Sequence, residues 1–186
     1  MTVMRQDLGG RAYTVEDLED MPDDGERYEL VDGVLLVSPA PGLHHQRMAF
    51  LMAVALEAAC PDGRVVVPAP FAVRFSKVTE VQPDVLVARE EDLTDKLLPV
   101  APLLAVEVLS PSSYVTDTNL KKSLYERMGV ESYWVVDPKV PVLDVYELNA
   151  EGRYELVTVV KGEEAFDAVR PFPVRIVPAE LLGRLN

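Results

Sequence analysis

Two apolar stretches with strand character each carry a single carboxylate: Glu107 within Pro102-Leu103-Leu104-Ala105-Val106-Glu107-Val108-Leu109, and Asp84 within Val81-Gln82-Pro83-Asp84-Val85-Leu86-Val87-Ala88. A strand covered on both faces reads as a continuous hydrophobic run, and an ionised carboxylate inside one loses several kcal/mol of hydration unless something compensates it. Two such intrusions in neighbouring strands suggest a shared compensator, and a divalent cation is the economical candidate. Because side chains alternate faces, Glu107 shares a face with Leu103, Ala105 and Leu109, and Asp84 with Gln82, Leu86 and Ala88. Whether the two faces coincide is an expectation for the structure to settle. The competing reading is that each acid caps a strand end or pairs with an arginine.

The 186 residues, 48% of them hydrophobic, suffice for one domain with a well-buried core, and the 15 prolines are scattered rather than gathered into a linker. A single domain over residues 1–186 is therefore expected. The polar start lacks a signal-peptide pattern, and the apolar stretch from Met48 to Cys60 is too short to span a bilayer and is broken by Glu57. The expectation is a cytoplasmic protein without a membrane partner. Cys60, the single cysteine, reads as a packed thiol. With 31 acidic against 18 basic residues the net charge is -13, which argues against holding nucleic acid by a broad basic surface but not against meeting phosphates locally through a metal.

Thr14-Val15-Glu16-Asp17 has the form of a capping box, so a short helix is expected to about Met21. Arg27–Val31 and Val34–Ser38 flank Asp32-Gly33, a strong hairpin signal. From His44 to Cys60, Met48, Leu51, Met52, Ala55, Leu56 and Ala59 follow helical spacing. Strands are expected at Arg64–Val67, Phe71–Phe75, Gln82–Ala88 and Leu103–Leu109, a helix from Thr118 to Met128 stopped at Gly129, and a strand at Ser132–Asp137. A C-terminal hairpin joins Val142–Leu148 to Tyr154–Val160. This order gives an α/β or α+β protein with a mixed sheet.

On the later helix, Leu120, Leu124 and Met128 form the apolar stripe, with Lys121 and Tyr125 at its edge and Lys122 near the opposite side. Lys121 is thus the lysine aimed toward the sheet, with Asp117 as a possible partner; the alternative is a lysine snorkelling from the core rim. His44 and His45 stand at the start of the first long helix, where an imidazole binds phosphate or moves a proton, or serves only as an exposed cap. Glu29 is either a further ligand or a solvent-facing strand residue. Phosphate-binding glycine loops, Gly-x-Ser-x-Gly, His-Glu-x-x-His and paired cysteines are missing, and Ser110, Ser112 and Ser113 around Pro111 read as a turn.

Taken in order, Tyr28-Glu29-Leu30-Val31-Asp32-Gly33, Ser38-Pro39-Ala40-Pro41 with His45-Gln46, Val81-Gln82-Pro83-Asp84-Val85, Val106-Glu107-Val108-Leu109-Ser110-Pro111-Ser112, Asp117 with Lys121 and Tyr125, and Gly129 through Pro138 resemble the Uma-two family of bacterial restriction-endonuclease-like proteins. That family is similar to the PD-(D/E)xK nuclease superfamily. The resemblance runs from Tyr13 to Leu148 and implies a restriction-endonuclease-like core of helix, three strands, helix, strand, flanked by N- and C-terminal hairpins. It also implies that Asp84, Glu107 and the carbonyl of Val108 ligate Mg2+ or Mn2+. The superfamily's lysine lies two residues after the glutamate; here that position is Leu109, and Lys121 is the match to the family's pattern.

The function so implied is a metal-dependent endonuclease hydrolysing phosphodiester bonds in nucleic acid, DNA by preference, with Asp84, Glu107, Lys121, His45 and Glu29 as the catalytic set. Lys121 would orient the attacking water or stabilise added charge, and His45 would contact a phosphate or protonate the leaving oxygen. A homodimer is expected, because double-strand cleavage by a one-site subunit commonly takes two copies, with Val142–Val160 as a candidate interface. The alternative is a catalytically inactive nuclease-like interaction or regulatory module. A glycosidase using the two acids ranks third, since it leaves Lys121 without a role.

Overall fold

A computed structural model describes residues 2–5, 11–110 and 116–185 of the chain, with Ser112 and Ser113 outside the described residues. The first strand, β1, spans Val3–Arg5, and α1 (Val15–Glu19) begins at the expected capping box, where Asp17 Oδ2 accepts from the Thr14 amide at 2.8 Å and its hydroxyl at 3.0 Å. Strands β2 (Arg27–Val31) and β3 (Val34–Ser38) follow, joined by Asp32 and Gly33, both at positive φ (51° and 81°) as a two-residue hairpin turn of this type requires. Helix α2 (Leu43–Ala59) precedes β4 (Arg64–Pro68), β5 (Ala72–Ser76), β6 (Thr79–Val81), β7 (Val85–Arg89), β8 (Leu97–Leu98) and β9 (Leu104–Val108). Helix α3 (Lys122–Met128), β10 (Ser132–Asp137), β11 (Val142–Leu148), β12 (Tyr154–Lys161), β13 (Phe166–Ala168), β14 (Val174–Ile176) and a 3-10 segment, Pro178–Leu185, complete the chain.

The strands make two six-stranded sheets and a small ribbon. One sheet has the order β12-β11-β10-β9-β7-β4, antiparallel except for the β9–β10 pair, so the expected mixed sheet is present and the C-terminal hairpin extends it. The core order of helix, three strands, helix, strand is met by α2, β4, β7, β9, α3 and β10. The other sheet, β1-β3-β2-β6-β5-β8, contains the expected N-terminal hairpin, β2 and β3, and extends it on both sides. Its short members β6 and β8 give no usable alternation in the sequence, and they tie β2 into a sheet that packs over the first.

Burial follows from parity. Val85, Val87, Leu104, Val106, Trp134 and Val136 face α2 and its stripe Met48, Met52 and Leu56. The alternate residues Leu86, Ala88, Ala105, Leu109, Tyr133 and Val135 face Val31 and Leu36 of the second sheet and Leu124, Tyr125 and Met128 of α3. The helix expected from Thr118 is corrected: Thr116–Lys121 is wound as a π-helix, and regular α geometry begins only at Lys122. Gly129, at φ 82°, closes α3 as the predicted C-cap, with its amide donating to Glu126. Among the described residues no helix is long and apolar enough to cross a membrane.

Candidate active site

The register of the central sheet brings the two acids together. Val85 lies opposite Val106 and Leu86 opposite Ala105, so the same antiparallel register carried one step further sets Asp84, the residue before β7, against Glu107 on β9. Directly opposed residues of an antiparallel pair point to one face, and here it is the face shared with α3 and the second sheet. The contact is direct, because the Val108 amide donates to Asp84 Oδ2 at 2.8 Å. Both acids are buried, Glu107 completely.

Glu29 joins them from β2 and is buried, so it is not a solvent-facing strand residue. Leu30 points the other way, into a cluster with Tyr13, Val15 and Leu35, and this packing turns Arg27, Glu29 and Val31 inward. Lys121 Nζ lies 2.8 Å from Glu29 Oε1 and 3.0 Å from Glu107 Oε1, with its side chain only 1% exposed. The predicted inward lysine is therefore a bridge between two carboxylates from two sheets, and not a snorkelling side chain. The side chain of Asp117, its other expected partner, lies outside the described residues. Lys122 is half-buried, its ammonium 3.9 Å from the centre of the Tyr146 ring, and so is less free than the sequence implied.

The two histidines differ, and the exposed-cap alternative does not hold for His45. His44 is exposed, but His45 shares the buried stripe of α2 with Met48 and Met52, and its Nε2 lies 3.1 Å from Asp84 Oδ2. Its Nδ1 is buried with no hydrogen-bond partner among the described residues.

Two members of the cluster escaped sequence reading. Arg27 donates to Asp84 Oδ1 at 2.9 Å and approaches Glu29 Oε2 at 3.6 Å. The Arg27 and Glu29 positions, two apart on one strand, carried the signal that both would share a face. Tyr125, one helical turn after Lys121, donates its hydroxyl to Glu107 Oε1 at 2.8 Å. Its ring packs 5.2 Å from that of Tyr133, which in turn stacks with Tyr146 and Tyr154. Gln82 adds a backbone amide to Glu29 Oε1 at 2.8 Å.

The electrostatics follow from this packing. Burial pushes the Asp84 carboxyl up, but the hydrogen bond from His45 and the charge of Arg27 outweigh it and hold the group well below the usual carboxylate range. For Glu29, burial is likewise outweighed, here by Lys121, Arg27 and the Gln82 amide, and its pKa is lowered. The Tyr125 hydroxyl is pushed well above its ordinary value by burial and by the nearby charges of Glu107 and Glu29, so it stays a donor. A depressed carboxylate gives stability that is complete above the unfolded-state value of about 4 and is lost as pH falls toward the folded value. Urea-unfolding free energies should therefore decline steeply below about pH 4, and Asp84→Asn should flatten part of that decline. An equally steep acid limb in the variant would exclude Asp84 as a contributor.

Beside the cluster opens a cleft of about 1240 Å³ that reaches Asp84, Arg27, His45 and Gln82. Its walls are mainly apolar, with Ala49, Phe50 and Ala53 of α2, and they also carry Glu26 and Glu80. Among the described residues no three His, Cys, Asp or Glu side chains stand at metal-ligating spacing. Arg27, His45 and Lys121 lie against the acids. The donor chemistry nonetheless fits a hard divalent cation, since Asp84 and Glu107 are opposed carboxylates bracketing the backbone of Val108.

The α-β-β-β-α-β core, with its acids and lysine gathered on one face of the central sheet, defines a restriction-endonuclease-like fold. A crystal structure from Anabaena variabilis ATCC 29413, described as "a putative nuclease belonging to DUF820", superposes with a TM-score of 0.72 over 94% of this chain and 99% of that one, at 17% identity. The sequence model of the Uma2 family, described as "Putative restriction endonuclease", matches residues 15–180, and the chain belongs to that family. No curated protein gives a match.

Proposed function

We propose that this protein is a divalent-metal-dependent endonuclease that hydrolyses phosphodiester bonds in DNA, with Asp84, Glu107 and Lys121 at its centre. The observation that carries this reading is the convergence of three elements on one buried point: Asp84 before β7, Glu107 on β9 and Lys121 leading into α3, with Glu29 arriving from the second sheet. Asp84, Glu107 and the Val108 carbonyl would hold Mg2+ or Mn2+. When bound, such an ion supplies a more acidic water and neutralises charge at the phosphate. Lys121, fixed by Glu29 and Glu107, places one ammonium where added negative charge is to be stabilised. Tyr125 orients Glu107, and Glu29 holds Lys121 in place. His45, bound to Asp84 through Nε2, would contact a phosphate or help protonate the leaving oxygen. A cytoplasmic homodimer joined through β11 and β12 would place two such centres on one duplex.

The second reading, an inactive nuclease-like module, is favoured by the ion pairs that already balance the acids and by the net charge of -13. A cleavage panel of duplex, single-stranded and branched DNA, with Mg2+, with Mn2+ and with EDTA, separates the two. The enzyme reading expects cleavage that EDTA abolishes; no cleavage of any substrate with either metal would favour the module.

A further inference from the structure

We propose that Arg27 is a displaceable counter-ion: its guanidinium holds Asp84 and Glu29 in place when no divalent cation is present, and withdraws into the adjoining cleft when one binds. This rests on the metal-site reading above and adds a moving part to it.

Three buried acids, Glu29, Asp84 and Glu107, meet Arg27, Lys121 and His45 at the inner end of the cleft. Of these, Arg27 and Lys121 are fixed cations, and a divalent ion placed on Asp84 would lie directly against the Arg27 guanidinium in a poorly screened setting, so binding is strong only if that resident cation leaves. The geometry separates the two cations. Lys121 is 1% exposed and has α3 and both sheets around it, so it has no way out. The Arg27 side chain is 19% exposed and lines the cleft, and its Nη1 is bound to Asp84 Oδ1, on the carboxylate proposed as ligand. The same cleft carries the exposed Glu26, which can receive the guanidinium once it swings out, while Glu80 on its wall is already paired with Arg74.

Arg27 also spans Asp84 and Glu29, at 2.9 and 3.6 Å, and these acids lie on different sheets. Without a metal it therefore keeps these two carboxylates close without mutual repulsion, and occupies one oxygen of the proposed ligand Asp84. A cation that must be displaced lowers the apparent affinity of its competitor by the fraction of molecules in which the site is open.

Calorimetric titration with Mn2+ alone tests this on the full-length wild type, Arg27→Met, Arg27→Lys and Asp84→Asn. The expected result is Mn2+ binding about tenfold tighter in Arg27→Met than in wild type, with Arg27→Lys in between. In EDTA, Arg27→Met should melt below wild type, and saturating Mn2+ should close most of that gap. A purely structural Arg27 would instead leave Mn2+ affinity unchanged or weaken it in Arg27→Met, and that result overturns the proposal. If Arg27→Met does not fold, Arg27→Gln serves for the same comparison. Mn2+ binding by wild type that persists in Asp84→Asn overturns the metal-site reading itself. Mn2+ binding that appears only once Arg27 is removed supports the displaceable role, and absence of binding in wild type and the Arg27 variants alike defeats both readings.

Discussion

Lys121→Met is expected to cost about 3–5 kcal/mol of stability, because it leaves Glu29 and Glu107 buried beside each other without the ammonium that bridges them. The cost is not the strength of the ion pair itself. It arises because each carboxylate has given up its hydration and must find compensation inside the protein. Arg27 reaches Glu29 but stands 3.6 Å from it, and Tyr125 gives Glu107 one hydrogen bond, so neither replaces the lost charge. If the penalty is electrostatic, adding Glu29→Gln and Glu107→Gln to Lys121→Met should recover much of it, since a neutral cluster of similar volume removes the stranded charges. Urea unfolding at pH 7 measures both steps. A single-variant loss below about 1 kcal/mol, the size of an exposed ion pair, would place Lys121 in contact with solvent and remove the basis for its role.

That dependence explains why part of the site was legible in the sequence. A charge inside an apolar run is visible wherever the run is continuous, and Asp84 and Glu107 stood out for that reason. Lys121 emerged from helical phase, and the inference survived although Thr116–Lys121 is π-helical, because from Lys121 onward the spacing to Tyr125 and Met128 is that of an α-helix. Glu29 and Arg27 were harder. Strand alternation puts both on one face, but which face is buried depends on Leu30 packing against Tyr13 and Val15 and on β6 and β8 completing a second sheet. Those strands are three and two residues long, too short for any periodicity to register. For His45 the signal was present: it lies three and seven residues before Met48 and Met52, on the stripe that packs against the sheet. Its place at the helix start named it as a candidate, and that phase adds that it is buried.

Asp84→Asn and Glu107→Gln should each lower DNA cleavage in Mg2+ by at least about 10²-fold. These isosteric changes suit the question better than alanine. Each removes one charge while keeping a side chain of the same length, so in Asp84→Asn the remaining side-chain oxygen can still accept from the Val108 amide, and the register of β7 against β9 has no cause to shift. The double variant should be about as slow as the slower single, because residues that act on one centre are not additive. Independent contributions would instead multiply. Stability provides the contrast: Asp84→Asn loses the ion pair with Arg27, and Glu107→Gln loses that with Lys121, so each should destabilise, yet neither effect should follow the loss of rate once folding is checked by unfolding curves. Preparations must be free of contaminating nuclease, since a residual rate near about 10⁻³ of the parent is easily supplied by a trace impurity. Parent-like cleavage by both variants would mean that the opposed acids exist to join two sheets through Arg27 and Lys121, and that phosphodiester chemistry, if the protein performs it, takes place elsewhere.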